Sequence, residues 1–67
     1  MDVLLLQYRL AQLGVDNTAL REAMSWSDGT RITRVNTGKN WTADELRTLL
    51  RLGLTFEDLK RIFFREV

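Results

Sequence analysis

Apolar residues recur along the chain at helical spacing, in short runs separated by polar and glycine-containing breaks, and the pattern predicts five helices. In the first, from about Asp2 to Leu13, Val3, Leu6, Leu10 and Leu13 fall on one arc, and Gly14 stops the run. Leu4, Leu5 and Tyr8 project on other sides, giving this helix more apolar surface than one packed stripe requires. Either the C-terminus or a second subunit is expected to cover them. Asp16, Asn17 and Thr18 can cap a second helix running through about Ser25, because their side-chain oxygens accept from otherwise unpaired first-turn amides. Its core face holds Leu20, Ala23 and Met24.

The cluster from Ser25 to Gly29 reads as a tight turn, with Ser27 or Asp28 capping a third helix from about Thr30 to Asn36. Ile32 and Val35, three apart, are its inward anchors, and the polar run Asn36 to Asn40 ends it. Thr42 and Glu45 have capping-box spacing and open a fourth helix whose buried face is Ala43, Leu46, Leu49 and Leu50, with Gly53 as its stop. Thr55 and Asp58 repeat the pattern before a last helix anchored by Phe56, Leu59, Ile62 and Phe63. Phe64 and Val67 lie near the edge of that face.

At 67 residues the chain has room for one domain, residues 1–67, and without cysteine or histidine it has neither disulfide nor the usual zinc ligands to staple a small core. A compact all-α domain is the expected fold class. Hydrophobic content of 45% beside 28% charged argues against disorder, and the absence of proline favours helices. No stretch approaches the roughly 18 apolar residues of a membrane span, and the start lacks the basic leader of a signal peptide. A cytoplasmic location with no membrane partner is the expectation.

Catalysis is not expected, and no catalytic, metal-binding or cofactor-binding set is assigned. Asp44/Glu45 and Glu57/Asp58 are paired carboxylates, but adjacent helical residues diverge by about 100°, and first-turn acids favour the helix dipole. They read as caps. No histidine is present to activate a serine or threonine, and no glycine-rich phosphate loop occurs.

Charge placement is more informative than net charge, which is only +1. From Gly29 to Ala43 the only charged residues are Arg31, Arg34 and Lys39, a local basic stretch without one acid. If Ile32 and Val35 point inward, Thr30, Arg31, Thr33 and Arg34 face outward, and these residue types suit base edges and phosphates. A solvated helix face is the competing explanation. Trp26 and Trp41 could stack on bases, but their positions at the turn and before the Thr42 cap favour core anchoring.

Two short helices joined by a serine-containing turn, the second basic outside, make a helix-turn-helix unit. Over approximately residues 17–64 the chain resembles the lambda-repressor-like helix-turn-helix family of phage Cro and repressor proteins. Ser25-Trp26-Ser27 stands where that family usually has Gly, an aliphatic residue and Ser, and Ile32-Thr33-Arg34-Val35 looks like its recognition-helix core. The stretch from Gly38 to Leu46 is similar to the pattern of small phage regulators, and Leu52-Gly53-Leu54 continues it. The resemblance implies a five-helix fold that binds double-stranded operator DNA as a homodimer, as a repressor in a bacterial host cell. Base-reading candidates are then Thr30, Arg31, Thr33 and Arg34, and phosphate candidates are Asn17, Thr18, Ser27, Lys39 and Asn40.

Two departures bear on register. The family's frequent glutamine opening helix two is missing, and the turn is one residue longer, since Asp28 to Arg31 separate Ser27 from Ile32. Dimer-interface candidates are Phe64 and Val67, with Leu4, Leu5 and Tyr8 as the alternative surface. No small-molecule effector site is evident. The competing function is a protein-interaction module, such as an antirepressor or antitoxin-like partner, using the same surplus apolar surface.

Overall fold

Each helix begins where a short polar side chain takes up a first-turn amide. In the computed structural model, which describes residues 1–64, Asp2 accepts from the Leu5 amide at 3.0 Å and Asp16 from Ala19 at 2.8 Å. Ser27 accepts from Thr30 at 3.2 Å, Thr42 from Glu45 at 3.2 Å and Thr55 from Asp58 at 3.1 Å. These caps start α1 (Val3–Gln12), α2 (Asn17–Met24), α3 (Asp28–Arg31), α4 (Ala43–Leu52) and α5 (Phe56–Phe63). A π-helical segment, Ile32–Asn36, prolongs α3. The fold is all-α, with no strand among the described residues.

The core is Leu6 and Leu10 from α1, Leu20 from α2, Val35 from the π segment, Leu49, Leu54, Leu59 and Ile62. Each buried aliphatic side chain contributes about 1.5–3 kcal/mol, which lets so small a chain close without a staple. Trp26, Trp41, Leu46, Leu50 and Phe63 pack around it. α1 and α5 run antiparallel and are tied at two levels. The Asp2 amide donates to the Ile62 carbonyl at 2.8 Å, and Arg9 grips Asp58 from Nε at 3.0 Å and from its terminal nitrogen at 3.1 Å.

Four sequence-expected core positions are exposed instead: Ala23, Ile32, Ala43 and Phe56. The two alanines have little area to bury, so α2 and α4 turn their leucines inward. Phe56 is the first residue of α5, where the side chain leans back toward the N-terminus and away from the Leu59–Ile62 face, and it stands 79% exposed. Leu5, counted in sequence as surplus surface, is half-buried against the core. Leu54, in the short link between α4 and α5, is 3% exposed and fully part of the core.

Candidate nucleic-acid interface

α2 ends at Ser25, which takes the left-handed conformation at φ 58°, ψ 39°. That conformation lets the Trp26 amide return to the Arg21 carbonyl at 3.0 Å and reverses the chain after α2. The Ser27 hydroxyl then caps α3. Three residues, Ser25 to Ser27, thus connect the helices. Asp28 to Arg31, read in sequence as separating Ser27 from Ile32, form α3 itself. α3 starts at Asp28, two residues before the expected Thr30, and Asp28 lies in its first turn without being its cap.

The helix continues as the π segment, whose i→i+5 hydrogen bonding widens it. Residues three apart, about 60° apart around an α-helix, open to about 110° in this geometry. Val35 is therefore buried while Ile32 turns outward, 41% exposed. The outward line of the third helix is Asp28, Gly29, Ile32 and Asn36. Carbonyls at its end are satisfied from elsewhere. Gln7 Nε2 donates to the Val35 oxygen at 3.1 Å, and Trp41 Nε1 to the Arg34 oxygen at 2.9 Å.

With Ile32 outward, the four expected base-reading residues do not form a free face; all are half-buried. Thr30 pairs with the Ser27 hydroxyl, and Thr33 donates to the Gly29 carbonyl at 3.1 Å. Arg31 donates from Nε to Asp28 at 3.0 Å. Arg34 lies over the Trp26 ring, 5.7 Å from its centroid, and donates from Nε to Glu45 Oε1 at 3.1 Å.

Glu45 is the hub of this cluster. Its Oε2 accepts Trp26 Nε1 at 2.8 Å, and its Oε1 also accepts the Thr42 amide at 2.9 Å. Burial pulls the Glu45 carboxyl upward, but the bonds from Arg34, Thr42 and Trp26, with the Arg34 charge, outweigh it and leave the group below its ordinary value. The Trp41 ring meets Trp26 edge-on at 5.4 Å and Phe63 at 5.2 Å. Both tryptophans serve as anchors behind the third helix.

Lys39 and Asn40 are exposed in the following loop, Asn40 at φ 67°, and Lys39 has no acidic partner among the described residues. Asn17 and Thr18 are exposed in the first turn of α2. The Ser27 hydroxyl, by contrast, is engaged as the α3 cap. Among the dimer candidates Leu4, Tyr8 and Phe64 are exposed at 74%, 59% and 51%, Leu5 is not free, and Val67 lies outside the described residues. A cleft of about 350 Å³ opens between α1 and α2 beside Leu10, Leu20 and Val35. Of its polar lining, Gln7 and Asp16 are already engaged within the fold.

No protein-family model, curated protein or solved structure matches the chain. Its geometry therefore carries the functional argument. Sequence reasoning missed Gly29, Ile32 and Asn36 as the outward line, because its α-helical register placed Ile32 in the core.

Proposed function

We propose that the protein is a sequence-specific double-stranded DNA-binding transcriptional regulator of the Cro/repressor type, acting as a homodimer on an inverted-repeat operator. The observation that carries this reading is the α2–turn–α3 unit. A left-handed Ser25 and a Ser27 cap set the third helix against α2, and the Arg34–Glu45–Trp26 cluster braces it from behind. Its outward line is then free to enter a major groove. Lys39 and Asn40 flank the helix as phosphate contacts, and Asn17 and Thr18 offer a second set at the start of α2. Arg31 and Arg34 orient the helix in this arrangement.

Selection of bound duplexes from a random pool tests the proposal. The expected product is an approximate inverted repeat with half-site centres about 10 base pairs apart, bound with an affinity that falls steeply as salt rises. A second reading, a protein-interaction module of the antirepressor or antitoxin kind, is favoured by the exposure of Leu4 and Phe56. It predicts no enriched site at low salt and an apolar partner interface with little salt response.

A further inference from the structure

Gly29 lies in the first turn of α3, without a left-handed backbone angle, and a Cβ added there would meet nothing within 4 Å. Neither conformation nor crowding within the fold calls for glycine, which is among the weakest helix formers. A bare backbone at such a position suits a close approach from outside. One turn further along the same line stands Ile32, the large apolar side chain on the outward face of the third helix. The nearby arginines are occupied, Arg31 by Asp28 and Arg34 by Glu45.

Among the groups that base pairs present in the major groove, the apolar one is the thymine C5-methyl. Resting on the DNA-binding reading above, we infer that Ile32 discriminates bases by packing on a thymine methyl, and that Gly29 is bare so that the helix lies close enough for the contact. Recognition at this position is then a matter of shape and apolar contact. Removal of the methyl alone abolishes it.

The test replaces thymines one at a time by uracil in a duplex selected by the protein, since uracil lacks only the methyl and keeps every hydrogen-bonding group. Wild-type protein is expected to lose about three- to tenfold in affinity at one position of each half-site. Ile32→Ala should bind thymine and uracil duplexes alike, with only a modest fall in Tm because the side chain is 41% exposed and outside the core. Gly29→Ala should hold or raise the Tm yet weaken the selected duplex. Equal wild-type affinity for thymine and uracil at every position overturns the inference while leaving DNA binding intact. So does undiminished uracil discrimination in Ile32→Ala, and wild-type affinity in Gly29→Ala removes the close approach. Failure to bind any duplex overturns the inference together with the function it rests on.

Discussion

Arg34 and Glu45 join the third helix to the first turn of α4 through a 3.1 Å bond, with both side chains more than four-fifths removed from solvent. The same carboxylate closes the α4 capping box and accepts the Trp26 indole, so one acid fixes the turn, the third helix and α4 relative to one another.

Arg34→Ala is therefore expected to act on stability. It leaves a largely buried carboxylate without its counter-charge, held only by Trp26 and Thr42, and removes the cation from the Trp26 ring, at a cost of about 1–3 kcal/mol, read as a lower urea midpoint. Arg34→Lys should recover only part of this, because an ammonium cannot reproduce the planar fork and ring contact. An unchanged midpoint in Arg34→Ala, with specificity lost at one base pair, would return Arg34 to base reading.

Ser25 occupies a left-handed conformation that is costly for any residue with a Cβ. Ser25→Gly should raise stability by about 0.5–1 kcal/mol, with the dependence on denaturant concentration unchanged. A destabilised variant would show that the serine hydroxyl contributes more than the backbone strain it accompanies.

Acid should destabilise the fold through Glu45 and Asp58. The Arg9 hydrogen bond, against the cost of burial and with help from Thr55, holds Asp58 below its ordinary value, as the cluster does for Glu45. Both groups have folded values below their unfolded ones, so their stabilisation is complete above the unfolded values of 4.5 and 3.8 and is lost as pH falls through the folded ones. Denaturation midpoints measured from pH 7 downward should decline most steeply below about pH 4.5. Glu45→Gln and Asp58→Asn should each flatten that decline.

On the proposed DNA-binding function, Lys39→Ala should weaken specific and non-specific DNA alike and lower the salt slope by about one, as expected for a single phosphate contact. A loss confined to one base pair, with the slope intact, would make Lys39 a base reader.

Leu4 and Tyr8 lie one turn apart on the exposed face of α1, and burying them against a second copy would remove apolar surface from water. If the proposed operator-bound dimer uses this face, the double variant Leu4→Glu, Tyr8→Glu is expected to bind a half-site normally but to lose cooperative binding to the full site. Sedimentation on the two duplexes measures this. Two subunits on the full site in the variant would move the interface elsewhere, with exposed Phe64 the next surface to alter.

What could be read from the chain alone is what acts over one turn. Thr42 with Glu45 and Thr55 with Asp58 announce their helices because a cap and its amide lie three residues apart, whatever surrounds them. The leucine periodicity likewise marked Leu6, Leu10, Leu20, Leu49 and Leu59 as core. Rotation of a short helix about its axis is a different matter. It depends on how much area each side can bury, and the third helix resolved that competition by widening into a π segment that keeps Val35 inside and turns Ile32 out. Long-range partners were equally invisible: Arg34 finds Glu45 eleven residues away and Arg9 finds Asp58 across forty-nine. Such pairs depend on which helix faces meet, and only the packed tertiary structure decides that.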